Sequence, residues 1–201
     1  MKKNFILLGM LLLFLSCTNP FSTRESEVEQ PDPDSNSALF DQPISEDVVL
    51  KNLRYAIIQK NVSNYMRCFI DESLVSNHKF RFIPDNSLQS EQFENWGLID
   101  ENNYLTNIVN SEKNIKSIEL SYTGDEINYT TITASRDSFQ TTLFEYEFKI
   151  DFGDTTHIYL GKARMKLVKN INALWAIYFW EDIRSDIESF DSWSVLKANF
   201  R

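Results

Sequence analysis

The second half of the chain is dominated by strict alternation of apolar and polar residues. The longest run places aromatic and aliphatic residues at every second position from Phe144 to Phe152, with glutamate, lysine and aspartate between them. Because successive side chains of a β-strand point to opposite faces, this pattern predicts a strand with one buried and one solvated face. Gly153 and Asp154 follow it and predict a turn into the next strand.

Two more strands are predicted on either side of a turn at residues 169–172, and they form the centre of the predicted sheet. Asn170 and Asn172 are expected to make that turn, because asparagine tolerates a positive φ. From Ala173 to Ile183 both faces are apolar, so we expect the second strand to be covered on both sides. The first strand alternates from His157 to Val168, and its apolar face consists of Tyr159, Gly161, Ala163, Met165 and Leu167.

Earlier segments repeat apolar residues at the spacing of an α-helix. One predicted helix runs from Ser45, a good N-cap residue, to Lys60, and a shorter one runs from Val62 to Phe69. A third is expected to be capped by Asp100 and to end at Asn110. The C-terminal residues Trp193, Leu196 and Phe200 share a helical face, and we expect this tail, or a second copy of the sheet, to cover the outer face of the last strand.

Length and composition predict a single folded domain with appendages. The chain has 201 residues, of which 42% are hydrophobic and 13% aromatic, enough for a substantial core. The formal charge of −9 argues against nucleic acid as a partner, because phosphate binding requires a basic surface. Two cysteines do not make a disulfide framework.

The N-terminus has the features of an export signal that ends at a cysteine. Lys2 and Lys3 precede an apolar run that is too short to span a bilayer. The following Leu-Phe-Leu-Ser-Cys, which ends at Cys17, resembles the lipobox of bacterial lipoproteins, although phenylalanine replaces the usual leucine. The resemblance implies removal of residues 1–16, which takes the charge from −9 to −11, and attachment of diacylglycerol and fatty acyl chains such as palmitate to Cys17. An ordinary secretory signal with an incidental cysteine is the alternative.

We therefore predict four parts. Residues 1–16 form a lipoprotein signal peptide, and residues 17–43 form an acidic, proline-containing tether that is too poor in apolar residues to order itself. Residues 44–185 form the domain, and residues 186–201 form a helical tail. The predicted location is the bacterial cell envelope, at the outer membrane if the cell is Gram-negative, with the lipid as the link to the membrane.

Helices followed by a run of antiparallel strands predict an α+β fold. The order of these elements resembles the nuclear transport factor 2-like, or SnoaL-like, superfamily, as found in bacterial lipoproteins. The features that carry the resemblance are the two N-terminal helices, the strand at Phe80–Asp85, the Trp96 region with its following helix, and the final aromatic strand through Trp175, Trp180 and Asp182. It implies N-terminal helices packed on a curved, mostly antiparallel sheet, which forms a cone with a pocket at its open end.

The resemblance leaves the function open, because the superfamily includes isomerases, dehydratases, polyketide cyclases and non-catalytic binding modules. It suggests Phe82, Trp96, Tyr159 and Trp180 as residues lining the cone, with plain core packing as the alternative. Asp182 and His157 are the weak candidates for a catalytic acid or base. No metal spacing or cofactor motif is present in the sequence.

Three functions remain at this stage. We expect a non-catalytic envelope lipoprotein that binds a small apolar ligand or a protein partner. The first alternative is an enzyme of isomerase or dehydratase type that uses a pocket Asp or His. The second is a structural module that forms a homodimer through its sheet. A buried ionisable residue in the pocket favours the enzyme, and a filled cone favours the structural module.

Overall fold

The computed structural model describes residues 39–75, 77–88, 90–111, 115–187 and 189–201. The predicted signal peptide, Cys17 and most of the predicted tether lie outside the described residues. Within them the helices are α1 (Glu46–Ile58), α2 (Val62–Met66), α3 (Leu98–Val109) and α4 (Trp193–Asn199), with a short 3-10 helix at Ser90–Phe93.

The described strands form one open, curved sheet, in which all pairings but one are antiparallel. The strands are β1 (Arg81–Ile83), β2 (Ser117–Thr123), β3 (Tyr129–Thr131), β4 (Ser138–Thr141), β5 (Phe144–Asp151), β6 (Thr156–Lys169) and β7 (Trp175–Arg184). The long strand β6 pairs with β7 along one edge and with β5 and β4 along the other. Strand β1 pairs parallel with β7, and β2 pairs with β5. The α+β fold predicted from the sequence is confirmed.

Strands β5 and β6 follow the predicted alternation. Every second residue of β5 from Phe144 to Ile150 is buried, and so is the predicted apolar face of β6 from Tyr159 to Leu167. The alternation of buried and exposed residues is interrupted in β7. Leu167 of β6 pairs with Ile177, but the residue before it, Lys166, pairs with Phe179, which lies two positions further along β7. Tyr178 is therefore an extra residue in a β-bulge, which explains why its sequence shows two apolar faces.

Three local predictions need correction. The turn after β6 takes its positive φ of 61° at Ala173, while Asn170 stabilises the turn by accepting hydrogen bonds from the backbone N–H groups of Asn172 and Leu174. Helix α3 begins two residues before Asp100, whose carboxylate accepts from the backbone N–H of Gly97 in its first turn. Strand β4, which is rich in polar residues, was not predicted from the sequence.

The core lies between the helices and the concave face of the sheet. Helices α1, α2 and α3 contribute buried side chains from one face each, such as Leu53, Tyr65 and Leu105. The C-terminal helix α4 also belongs to this core: Trp193 and Leu196 are both fully buried. Trp193 contacts Trp180 edge to face, with ring centroids 4.6 Å apart. The tail thus packs in the interior of the cone, whereas the sequence had suggested that it covers the outer face of the last strand.

Candidate functional site

The interior of the cone holds a buried ion pair between helices α3 and α4. The ammonium of Lys197 contacts the carboxylate oxygen Oε1 of Glu101, and neither side chain is exposed to solvent. Both positions follow from helix geometry. Glu101 lies on the same buried face of α3 as Tyr104, Leu105 and Ile108, and Lys197 lies on the buried face of α4 with Trp193.

Two further hydrogen bonds fix the Glu101 carboxylate. Tyr65 Oη donates to Oε2 at 2.6 Å, and Trp96 Nε1 donates to Oε1 at 2.7 Å. Tyr65 comes from α2 and Trp96 from the turn before α3, so the carboxylate is held independently of α4. Burial, followed by the nearby charge of Glu101, raises the pKa of Tyr65 well above its usual value, so its hydroxyl remains a donor.

Four aromatic rings surround the Lys197 ammonium. Its Nζ lies 3.8 Å from the ring centroid of Trp180 and 4.0 Å from that of Phe82. The rings of Tyr104 and Trp96 lie at 5.5 and 5.8 Å. These distances are in the range of cation–π attraction. We call these four rings, together with the Glu101 carboxylate, the ammonium cage. Burial lowers the pKa of Lys197, and the charge and hydrogen bond of Glu101 oppose that shift.

Asp182 forms a second buried contact with the C-terminal segment. Its Oδ1 accepts from Tyr146 Oη at 2.7 Å, and its Oδ2 accepts from the backbone N–H and the hydroxyl of Ser194 at 2.7 and 2.5 Å. Burial raises the pKa of Asp182, although the hydrogen bonds from Ser194 and Tyr146 act in the opposite direction. Tyr146 Oη also accepts from the backbone N–H of Trp193 at 2.7 Å, so all of these bonds converge on the start of α4.

Asp85, which follows β1, is the third buried carboxylate that holds this segment. It accepts a hydrogen bond from the hydroxyl of Ser192, and its backbone N–H donates to the hydroxyl of Ser194 at 3.0 Å. Ser192 is the N-cap of α4 and accepts from the backbone N–H of Val195 at 3.3 Å. Three acidic side chains from different elements therefore hold α4 inside the cone.

The structure brings some of the predicted site residues together and separates others. Phe82, Trp96 and Trp180 are buried and form part of the ammonium cage. Tyr159 is also buried, but it contacts Phe148 instead, with centroids 6.5 Å apart. Ligand binding by these four residues stays a prediction.

The two weak catalytic candidates lie in different environments. Asp182 is fully buried, and both of its oxygens accept hydrogen bonds from the protein itself. His157 is exposed at the start of β6, where its ring contacts Phe152 at 5.2 Å. No contact in the described part of the chain joins the two.

Sequence reasoning missed the residues at the centre of this arrangement, Glu101 and Lys197. Both are charged, and charged residues on a helix usually face solvent. The signal that could have found them is their position: each falls on the apolar face of its own helix, beside Leu105 and Leu196 respectively.

A separate groove lies outside the cone, between α2, the beginning of β7 and the segment that leads into α1. It has a volume of about 720 Å³. Its lining is mainly apolar and includes Phe40, Val62, Met66, Leu174, Trp175 and Ala176, with Arg67, Asp71 and Asn102 among the polar residues. This size and composition are typical of small-molecule pockets. None of the four lining residues predicted from the sequence borders this groove.

The segment before α1 is fixed at one side of the groove. The backbone N–H of Trp175 donates to the carbonyl of Pro43 at 2.8 Å. The Asn52 side chain on α1 pairs with the backbone of Asp41 through two hydrogen bonds of 3.0 and 2.7 Å. The guanidinium of Arg67 stacks 3.7 Å from the ring centroid of Phe40. These contacts make Phe40 and Pro43 part of the wall of the groove.

The described residues contain no group of three or more His, Cys, Asp or Glu side chains arranged to hold a metal ion. No helix in the same ranges is long and apolar enough to cross a membrane.

Comparison with solved structures identifies the fold. A protein from Streptomyces avermitilis, described as a candidate dehydratase of the NTF2-like family, matches with a TM-score of 0.52 and 9% identity over 69% of this chain and 92% of that one. A candidate scytalone dehydratase from Novosphingobium aromaticivorans matches with a TM-score of 0.53 and 8% identity over 69% and 80%. The chain therefore has the NTF2-like cone fold. No protein-family model and no curated protein matches its sequence.

Proposed function

We propose that this chain is a lipid-anchored protein of the bacterial envelope whose domain is a non-catalytic binding module, with its ligand site in the groove beside the tether. The observation that carries the proposal is the apolar groove of about 720 Å³; the filled cone, which alone would favour a structural module, only excludes the interior as the ligand site. Trp193, Leu196 and Lys197 occupy the interior and are fully buried. A substrate therefore has no room to reach the interior while α4 is in place. The groove is an open space of about 720 Å³ that is formed by other residues.

The groove suits an elongated apolar ligand such as a fatty acyl chain. Its lining is mostly aliphatic and aromatic, and the few polar side chains provide a place for a head group. Three aliphatic side chains next to lining residues in the sequence are exposed: Leu39, Ile44 and Ile171, at 54%, 69% and 77%. Contiguous exposed apolar patches mark binding surfaces, and in this proposal the three residues extend the apolar lining of the groove.

The lipid anchor would bring this groove to the membrane. The proposal of lipidation at Cys17 is supported by the short apolar run and the Ser16-Cys17 junction. Phe40 and Pro43 border the groove. The predicted tether, residues 17–43, therefore ends at the wall of the proposed ligand site.

The test is binding of a brominated fatty acid, followed by quenching of tryptophan fluorescence, since Trp175 lines the groove. Val62→Lys places a charge in the lining and should weaken binding at least about tenfold, or about 1.4 kcal/mol. Val109→Lys is the matched control, because Val109 is also half-buried on a helix but does not border the groove. Equal binding by both variants, or no quenching of the wild type, would contradict the proposal.

One observation favours an enzyme as the second candidate. Asp182 is a buried carboxyl whose pKa is raised by burial, and it lies 2.7 Å from Tyr146 Oη, which is an arrangement suited to proton transfer. This reading requires α4 to leave the cone. Turnover of a ketosteroid-like or polyketide-like substrate that is lost in Asp182→Asn would support it.

A further inference from the structure

The ammonium cage has the composition of a ligand site that the protein fills with its own side chain. We infer that the cage is a recognition site for a small primary alkylammonium ligand, and that Lys197 of α4 occupies it as an intramolecular ligand. This inference concerns the cone interior and is independent of the groove.

The cage provides two kinds of attraction that together select a primary ammonium group. The faces of Trp180 and Phe82 lie within 4.0 Å of the Lys197 nitrogen, and two further rings lie within 5.8 Å. Aromatic faces attract any alkylated ammonium. The Glu101 carboxylate adds a charge-assisted hydrogen bond, which only an ammonium that carries hydrogens can donate.

The cage keeps its shape when Lys197 is removed. Glu101 is fixed by Tyr65 and Trp96, neither of which belongs to α4. Phe82 is held on β1 and Trp180 on β7, which pair with each other at this position. A buried carboxylate that loses its cation is strongly unfavourable, so the empty cage has a strong preference for another cation. Trp180 Nε1 is also buried and has no hydrogen-bond acceptor among the described residues, so α4 does not satisfy every polar group of the cage.

Lys197, which fills the cage, belongs to α4, and α4 takes no part in the strand pairings of the sheet. Helix α4 is C-terminal, and the strand pairings of β1 to β7 are complete without it. The segment before it forms an isolated bridge between Asp191 and Tyr159, and the hydroxyl of Ser192 donates to Asp85. Hydrogen bonds to Asp182 and Tyr146 hold the start of α4, so a free ligand must also overcome these contacts. An attached ligand competes with a free one at an effective concentration of the order of millimolar. A free ammonium ligand therefore binds the wild type weakly, and it binds far better when Lys197 is shortened.

The experiment is chemical rescue of the full-length Lys197→Ala variant. This substitution removes three carbons and the nitrogen, which n-propylammonium replaces atom for atom. We expect propylammonium at millimolar concentrations to raise the Tm of the variant by roughly 3 °C or more, and to leave the wild type unchanged. The matched ligands are 1-propanol, which lacks the charge, and propyltrimethylammonium, which has no hydrogen to donate to Glu101; both should rescue less. Equal effects of all three compounds would overturn the inference.

The double variant Lys197→Ala/Glu101→Gln is the matched protein control. It keeps the cavity and the rings but lacks the carboxylate, so propylammonium should lose its advantage over propanol. A rescue that survives in this variant would show that the cavity is filled without recognition of the ammonium.

A second measurement uses the wild type and does not depend on the folding of any variant. Hydrogen–deuterium exchange of the C-terminal peptide reports on the docking of α4. We expect phenylbutylammonium to accelerate exchange at residues 193–199, and phenylbutanol at the same concentration to have no such effect. If Lys197→Ala does not fold with or without propylammonium, this result alone decides. Unchanged exchange up to 100 mM would overturn displacement of α4 by a free ammonium.

Discussion

Lys197 on the last helix, α4, and Glu101 on α3 form an ion pair that is completely buried from solvent. The pair joins the C-terminus of the chain to the helical layer, inside the space that the cone fold would otherwise leave open. Two charges in such a place are stable only because further hydrogen bonds and aromatic faces surround them. The first prediction follows from this arrangement.

Lys197→Met should lower the free energy of unfolding by about 3–5 kcal/mol, because it leaves the Glu101 carboxylate buried without a cation. Glu101→Gln should have a comparable effect. The double variant should be less destabilised than the sum of the two, by about 0.5–3 kcal/mol. Urea denaturation measures all four states of the cycle.

The control for this cycle is the surface pair of Lys51 and Asp41, which are both about half exposed. Removal of either partner there should leave the unfolding midpoint unchanged, because solvent screens exposed pairs. Additive losses at Lys197 and Glu101 would show that the two side chains do not stabilise each other.

The second prediction concerns the pH dependence of stability through Asp182. Burial raises its pKa in the folded state above the unfolded value, so the folded state holds the proton more tightly. The contribution of Asp182 to stability is therefore fully present below its unfolded pKa of about 4, and it is lost as the pH rises through the folded pKa.

Asp182→Asn removes this titration and keeps the shape of the side chain. The stability of the variant relative to the wild type should improve as the pH rises above about 4, and it should level off once the pH has passed the folded pKa of Asp182, as measured by urea denaturation at each pH. Asp154→Asn, on an exposed turn, changes the net charge by the same amount and is the control. A difference between Asp182→Asn and the wild type that does not vary with pH would contradict the prediction.

The third prediction uses the close approach of β5 to β6 at Gly161. A Cβ atom at this position would lie 2.3 Å from Tyr146 Oη and 2.7 Å from the carbonyl oxygen of Ile183. Gly161→Ala should therefore displace the Tyr146 hydroxyl, which bonds both Asp182 and the start of α4. We expect a loss of about 1–3 kcal/mol in unfolding free energy.

The matched variant is Gly97→Ala, since the nearest atom to a Cβ there is 3.8 Å away. The added methyl group meets no close atom, so the loss should stay below about 1 kcal/mol and come only from the poorer capping by alanine at this N-cap position. Faster hydrogen exchange of α4 in Gly161→Ala, and not in Gly97→Ala, would locate the effect. Equal melting temperatures for the two variants would contradict it.

The fourth prediction tests the proposed anchor. Cys17→Ala should release the protein from the membrane fraction and remove the mass of the attached acyl groups, because lipid chains would supply the membrane affinity. Fractionation and intact-mass measurement check this outcome. Cys68→Ala is the control, since Cys68 is buried and burial raises the pKa of its thiol, which makes it unreactive. Retention of Cys17→Ala in the membrane would refute lipid anchoring.

The fold was predictable from the sequence where a periodic pattern reported burial directly. The alternation of β5 has no competing interpretation, and its buried residues are the ones that the pattern indicates. The pattern was misleading in β7, where the bulge at Tyr178 shifts the inward face partway along the strand. A bulge depends on the pairing of two strands, and a single segment carries no signal of it.

The interior of the cone was only partly predictable. Phe82, Trp96 and Trp180 stood out as aromatic residues, but their common neighbour Lys197 did not. A lysine on a short terminal helix is normally solvated, and it is buried here because Glu101 and the four rings are assembled from segments far apart in the chain. Tertiary contacts of this kind have no local sequence pattern.

The segment before α1 is joined to the domain by hydrogen bonds from Trp175 to Pro43 and between Asn52 and Asp41. These bonds affect how the domain responds to force. A pull on the N-terminal end of the domain first reaches the contact of Phe40 with Arg67 and then these few hydrogen bonds, which hold the segment to α1 and to the beginning of β7. Phe40 and Pro43 are also a wall of the groove. Tension along the proposed tether would therefore pull Phe40 and Pro43 away from the groove before it breaks any strand pairing. The proposed ligand site would then lose part of its wall, and its affinity for an apolar ligand would fall as the force increases.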